Sequence, residues 1–392
     1  MNIPLTKLYI DEEDLSAVQK PLQTGWLVQG PYTANFEKKM ASYNNSLYAI
    51  ATSSCTTALH LSLIGAQVKP GDTVIVPAFT YVATANAVEH SGAKPVFIDI
   101  DIHTYNLSVE HLTHYLENIQ SPQKIPKAII VVHLFGLCAN MPEIMKLCQK
   151  YQITVIEDAA CGLGAQIHGK APGSFGLAAC FSFHPRKIIS TGEGGMILTN
   201  DKKTESLLRK LRDHGAEISD QKRHESHMFD LPEFKNLGYN YRMTDIQGAL
   251  GCSQMKKISH ILNKRKELAH YYDHLLEKLN WLHVPEVPSG YTHAYQSYVP
   301  LIIKINKNST ESGNVRQRLM SHLHQKGIAS RPGTHAVPCL EYYKKKYNIH
   351  IEDYPNALNA HYQAITLPLY PEMKHQEIEY IANALQQFLR YI

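Results

Sequence analysis

Two tryptophans and seven cysteines stand in a chain of 392 residues. The cysteines (Cys55, Cys138, Cys148, Cys161, Cys180, Cys252 and Cys339) are odd in number, widely spaced and never arranged as C-x-x-C. That pattern argues against a disulfide framework and against a cysteine zinc site, and no metal is expected. No run approaches the roughly 18 apolar residues that span a bilayer. The first residues, Met-Asn-Ile-Pro-Leu-Thr-Lys, have no apolar core and soon turn acidic, so neither a secretory leader nor a membrane role is expected. Charge of one sign is also scarce. Lys plus Arg number 39 against 35 Asp plus Glu, a net +4 with the basic residues scattered, which gives no footprint for nucleic acid. A cytoplasmic protein with reduced thiols fits these absences.

What is present is an alternation. Apolar runs at Thr73–Pro77, Pro95–Asp99, Ala128–Val132 and Thr154–Asp158 read as strands. Helical patterns at 56–68, 81–89, 108–119 and 142–150 lie between them. Strands apolar at successive positions and separated by helices imply an α/β fold with a mostly parallel central sheet covered on both faces. Ligands in such sheets bind beyond the carboxyl ends of the strands, near Ser54, Pro77, Asp99, His133 and Asp158. A long helical pattern over 244–279 and a breaker cluster at 285–290 follow. A strand over 297–305, a helix over 314–326, a short strand near Ile328 and a last helix over 374–389 complete the chain. This predicts a large domain over residues 1–250 and a smaller C-terminal α/β domain over 251–392.

Four segments carry candidate chemistry. Phe181-Ser-Phe-His-Pro-Arg-Lys187 leads into Gly192-Glu-Gly-Gly195, placing a lysine among apolar residues and glycines that permit close backbone approach. Lys187 is the candidate nucleophile. Asp158 ends a buried strand, where a carboxylate is costly without a partner. A protonated pyridine nitrogen would serve, since opposite charges about 4 Å apart at an effective dielectric near 20 attract by about 4 kcal/mol. Thr52-Ser-Ser-Cys-Thr-Thr57 opens a helix, and a helix N-terminus with small hydroxyl residues suits an anion such as a phosphate at Cys55 and Thr56. Tyr81 follows the next strand, placed to stack on a flat ring. Taken singly, each has a plainer reading as a surface lysine, a helix cap or a core aromatic. Together they supply what pyridoxal 5'-phosphate requires.

With Gly30-Pro-Tyr-Thr-Ala-Asn-Phe-Glu37, Gly92-Ala-Lys-Pro-Val-Phe-Ile-Asp-Ile-Asp101, Gly238-Tyr-Asn-Tyr-Arg-Met-Thr-Asp245 and Leu367-Pro-Leu-Tyr-Pro371, the whole chain resembles the DegT/DnrJ/StrS family of PLP-dependent sugar aminotransferases of fold type I. The resemblance implies that Lys187 links covalently to the cofactor and Asp158 pairs with its ring nitrogen. It implies that Cys55, Thr56 and Ser182 hold the phosphate, that Tyr81 stacks, and that Cys161 lies beside the phenolic oxygen. Asn240 would reach the cofactor of a neighbouring subunit, which makes a homodimer with shared active sites. His184, Arg331 and His335 fall where the sugar or its nucleotide approaches. The chain departs from the family pattern at Cys55, often Gly or Ala, and at Cys161, often Gln or His. The implied reaction moves an amino group from an amino acid, glutamate in most relatives, to a nucleotide-linked keto-deoxy sugar for polysaccharide biosynthesis. Two alternatives stay open: a keto-inositol as acceptor, and a non-catalytic regulator that keeps the cofactor as a ligand.

Overall fold

A computed structural model describes residues 1–218, 231–303 and 309–388. Its centre is a seven-stranded sheet in the order Tyr48–Thr52, Gly195–Thr199, Ala178–Ser182, Thr154–Asp158, Ala128–Val132, Thr73–Pro77, Lys94–Ile98. The five strands from Ala178–Ser182 to Lys94–Ile98 run parallel. Gly195–Thr199 lies antiparallel to both its neighbours. Three of the four strands legible in the sequence have the expected limits, and the fourth is displaced by one residue to Lys94–Ile98.

Side chains on a strand alternate between faces, and here both faces are buried. Ile50, Val74, Val76, Ile130, Val132, Ile156, Cys180 and Ile197 point to one side, against the helices Cys55–Gly65 and Ala83–His90. Ile75, Ile129, Val131 and Val155 point to the other, against Val109–Glu117 and Met141–Tyr151. Further along that second face Ala51, Phe181, Met196 and Leu198 meet Phe36 and Met40 of the helix Pro31–Tyr43. Burial on both sides is why the strands read as unbroken apolar runs. The same parity puts Asp158 and Ser182 on the face of Ile156 and Cys180, and Glu157 on the opposite one.

The motifs at Gly30 and Asp245 are two halves of one contact. Asp245 is fully buried and accepts hydrogen bonds from the amides of Gly30 (2.8 Å), Tyr32 (3.2 Å) and Thr33 (2.9 Å) and from the Thr33 hydroxyl (2.6 Å). A carboxylate on the first turn of Pro31–Tyr43 satisfies the amides a helix leaves unpaired. Asp99 does the same for the helix Pro355–Gln363, accepting from the amides of Asn356 (2.9 Å) and Ala357 (2.8 Å). Its place at the end of a strand thus serves a cap and not the expected chemistry.

Two elements differ from the sequence expectation. The single long helix over 244–279 is two, Asp245–Lys256 and Ile258–Leu276, with Lys257 closing one and opening the next. The Lys257 ammonium lies on Asp14 of the helix Glu12–Thr24 (2.7 Å), and the chain turns there. The strand expected over 297–305 is paired as a strand only at Leu301–Ile302, against Leu282–His283. Earlier backbone groups are taken elsewhere, Ser297 by Phe135 O and Tyr298 by Leu367, and Ile305 lies outside the described residues. The last helix is His375–Phe388, and Leu389 also lies outside them. A second core forms around Ile3, Leu268, Tyr272, Tyr298, Leu319, Ile365, Ile381 and Leu385. The strand His335–Ala336 reaches back to pair with Phe79–Thr80, which brings the C-terminal part beside the sheet's carboxyl edge.

Candidate active site

Lys187 lies in the loop that leaves the strand Ala178–Ser182. The chain returns at Gly195, which pairs with Ser182. A Cβ at Gly195 would fall 2.3 Å from the Ser54 carbonyl oxygen, so only glycine lets the loop before Cys55–Gly65 close onto this strand. Glycine at this position therefore admits protein backbone. Gly192, with φ +81°, makes the left-handed turn between.

The helix Cys55–Gly65 begins as expected, with one refinement. Ser54 is its N-cap, receiving the Thr57 amide (3.2 Å), and the Thr57 hydroxyl takes the Ser54 amide in return (3.1 Å). The capping pair leaves the amides of Cys55 and Thr56 at the head of the helix without intrahelical acceptors. Cys55 has ordinary helical geometry, so its replacement of a glycine carries no backbone strain. Its thiol points inward at Cys180 O (3.5 Å), and burial raises its pKa well above the usual range, which keeps it a neutral thiol.

Asp158 is buried. Thr84 Oγ1 donates to its Oδ2 (2.8 Å) and the Ala160 amide to its Oδ1 (3.1 Å). Burial raises the carboxyl pKa, and the Thr84 hydroxyl, the Ala160 amide and the charge of Lys187 pull it back. The net direction is upward, as for a carboxylate lacking a full cationic partner. Thr84 is itself held by Thr80 (3.0 Å). Neither threonine was singled out in the sequence, although a hydroxyl one turn after Tyr81 was the available signal.

Lys187 Nζ is 3.2 Å from Cys161 Sγ, and both side chains are half-buried. Tyr81 is 61% exposed and precedes the helix Ala83–His90, which starts two residues later than expected. His335 pairs with Thr80, next to Tyr81, and is also exposed. Arg331 is half-buried within the electrostatic reach of Arg186, Cys161 and Tyr81, and its Nε is buried without a hydrogen-bond partner. Burial lowers the His184 pKa, opposed by Glu193 and reinforced by Arg186, Lys187 and Arg331. The structure thus gathers Cys55, Asp158, Cys161, His184, Lys187 and Arg331 around one end of the sheet, with Tyr81 and His335 at its rim. Arg186 was read only as part of the lysine segment, and the fold adds it to this group. Gln296 Nε2 donates to its carbonyl (2.7 Å).

Asn240 is exposed and nothing described joins it to Lys187 in this chain; its neighbour Tyr241 accepts the Ser53 amide (2.9 Å). His133, at the end of its strand, faces away from the lysine. It is wholly buried, with Nε2 3.0 Å from Glu157 Oε2 and Nδ1 accepting the Ala139 amide (3.2 Å). Since Nδ1 accepts, Nε2 carries the proton and donates to Glu157. The pair is structural, and chemistry expected near His133 is not found there.

A buried aspartate at a strand end, a lysine on the adjacent loop and a helix N-terminus on the same sheet face fit pyridoxal phosphate. Asp158 has a carboxylate whose burial a pyridinium would offset, and Cys55 and Thr56 offer free amides to a phosphate. The fold and site define a PLP-dependent transferase. The sequence model of the DegT/DnrJ/EryC1/StrS aminotransferase family matches residues 8–386, and the chain belongs to that family. It is 34% identical to a GDP-perosamine synthase of Caulobacter vibrioides over 97% of this chain and 96% of the other. Among solved structures it superposes on Helicobacter pylori PseC, an aminotransferase involved in the biosynthesis of pseudoaminic acid, with TM-score 0.89 and 26% identity over 100% of both chains. The PLP form of the sugar aminotransferase Spr1654 of Streptococcus pneumoniae, described as putative, gives TM-score 0.87 and 26% identity over 98% of this chain and 97% of that one. The protein is a PLP-dependent aminotransferase.

Proposed function

We propose that the enzyme moves an amino group from L-glutamate to a keto-deoxy sugar linked to a nucleoside diphosphate, in the making of an amino sugar for surface polysaccharide. The observation that carries this reading is the pair Arg186 and Arg331 beside Lys187, with Arg331 Nε buried and unpaired. Two guanidinium groups beside a reactive amine favour a substrate with more than one negative charge, and a diphosphate can be gripped through parallel N–H donors. The similarity to a GDP-perosamine synthase supports a nucleotide-linked acceptor.

In this reading Lys187 holds the cofactor and then carries a proton between the two carbons concerned. Asp158 keeps the ring nitrogen protonated, with Thr84 fixing the carboxylate. Bound pyridoxal phosphate supplies the electron sink. The amides of Cys55 and Thr56 and the Ser182 hydroxyl hold the phosphate, Tyr81 covers the ring, and Cys161 lies by the phenolic oxygen. His184, Arg331 and His335 receive the sugar nucleotide.

A homodimer is part of the proposal, with Asn240 completing the partner's site. The exposed side chains of Leu231, Phe234 and Leu237, just before Asn240, support it, because large apolar side chains left in water are suited to an interface. No helix among the described residues is long and apolar enough to cross a membrane, and we place the reaction in the cytoplasm.

The test is steady-state transamination with glutamate against GDP- and UDP-linked 4-keto-6-deoxy sugars, with a keto-inositol plus glutamine alongside. Turnover of a sugar nucleotide is the expected result. Turnover of the inositol alone would replace this reading, and failure to exchange the α-proton of any amino acid would favour a regulator.

A further inference from the structure

Away from the lysine, three side chains converge that the reaction does not use. His103 stands in the crossover after the strand Lys94–Ile98. His283 and Glu286 come from the segment that enters the C-terminal part. Glu286 Oε1 is 3.0 Å from His103 Nδ1 and 2.5 Å from His283 Nε2. The imidazole centroids are 5.7 Å apart with planes at 68°. One donor atom from each of the three residues fits within a 4.8 Å span. We propose that His103, His283 and Glu286 form a site for a divalent first-row transition metal, Zn²⁺ in the first instance, that clips these two segments together.

The backbone holds the three donors in place before any metal arrives. Asp101 Oδ1 accepts the amides of His103 (2.9 Å) and Thr104 (2.8 Å), which fixes the first segment. His283 is paired in a strand with Leu301, and Pro285 precedes Glu286. The buried Tyr105 hydroxyl reaches across to Val299 O (3.3 Å), so the segments are already packed beside the site. Zn–N and Zn–O distances near 2.1 Å place tetrahedral donors roughly 3.4 Å apart. The two contacts to Glu286, 3.0 and 2.5 Å, are shorter than that, and all three donors lie within 4.8 Å of one another, so modest side-chain adjustment reaches it. The three side chains are 57%, 36% and 46% exposed, so each has open surface through which to turn toward a common centre.

Two imidazoles and one carboxylate favour zinc, cobalt or nickel over magnesium or calcium, which prefer all-oxygen shells. Three protein ligands leave a fourth position for water. A cavity of about 230 Å³ lined by His103, Tyr105, His283 and Pro285 adjoins the ligands and leaves room for it. The set contains no cysteine and His103 lies about 180 residues from the other two, which is why cysteine spacing gave no sign of it.

The experiment uses the PLP-loaded enzyme stripped with chelator, titrated with ZnCl₂ against a chromophoric competitor and melted with and without Zn²⁺. One Zn²⁺ per chain and a raised Tm are expected, with no response to Mg²⁺. Both effects should vanish in the double variant His103→Ala/His283→Ala. Glu286→Gln should weaken binding by about tenfold or more. Unchanged melting of the metal-free variants, with transamination intact, shows that they fold. Zn²⁺ bound with equal affinity and stoichiometry by the double variant would overturn the assignment, as would a wild-type enzyme that takes up none.

Discussion

Lys187 Nζ lies 3.2 Å from Cys161 Sγ, so the amine we propose as the cofactor's link rests against a thiol. A thiol is a weak hydrogen-bonding group. It can orient the amine without holding it as an ion pair would. Cys161→Ser should therefore keep near-normal turnover, while Cys161→Ala should lower kcat/KM by less than about tenfold, the cost of one weak contact. Lys187→Ala should lose at least about 10³-fold in kcat, since proton transfer by a positioned base goes with it. Borohydride reduction of wild type should fix the cofactor to the peptide carrying residue 187. A label on any other peptide would remove Lys187 from its role.

Thr84 is the strongest donor described to Asp158. Thr84→Val leaves the carboxylate with the Ala160 amide alone and should weaken pyridoxal phosphate affinity by roughly tenfold, as expected for one hydrogen bond to a charged acceptor. Thr84→Ser should restore it. Equilibrium dialysis checks both, and equal affinity in all three proteins would make Thr84 a packing residue only.

Asp158 carries a stability consequence of definite sign. Its carboxyl pKa is raised by burial, so the cofactor-free protein binds this proton more tightly folded than unfolded. Its stability contribution falls as pH rises above the ordinary carboxylate value toward the raised one. At neutral pH Asp158→Asn should melt no lower than wild type when both are cofactor-free, and should lose most of its cofactor affinity. Thermal melts with and without added pyridoxal phosphate separate the two effects.

Arg331→Ala should raise KM for the sugar nucleotide by about tenfold or more, the scale of a charged hydrogen-bonding contact. The half-reaction with glutamate should change much less. An equal loss in both half-reactions, measured by single-turnover spectra, would place Arg331 on the amino donor instead.

One buried histidine and one half-buried predict acid lability. Burial pushes His293 down to about 3 and His361 down to about 4. Both stay neutral in the fold, where His293 Nδ1 accepts the Tyr295 amide (2.8 Å) and His361 Nδ1 the Ala336 amide (3.3 Å). In the unfolded chain they take up protons near pH 6.5. Stability is therefore present above pH 6.5 and is lost as pH falls toward 4. Tm should drop over that interval, and His361→Asn should flatten the drop.

Most of the sheet was legible because parallel strands buried on both faces must be apolar at every position, as in Ala128-Ile-Ile-Val-Val132. The buried place of Asp158 and the Ser54 cap were also readable, since one sits at a strand end and the other at a helix start, each with its own local signal. The split at Lys257 was not readable, because the residue that Lys257 meets there, Asp14, lies some 240 residues away. Nor was the division of labour among strand ends. Asp99 and Asp158 look alike in sequence, yet one caps the helix Pro355–Gln363 and the other faces the lysine.

The sequence by itself determined the alternation of strands and helices and placed a lysine and a buried carboxylate, the candidates for the cofactor's two partners, on neighbouring segments. Short-range periodicity and turn chemistry are enough for these. Only the tertiary structure decided that Thr84 supports Asp158, that Arg186 and Arg331 come within electrostatic reach of each other, and that His103 faces His283 and Glu286. Those pairings join residues whose neighbours in the chain carry no trace of one another, and they exist only once the sheet has brought its crossovers together.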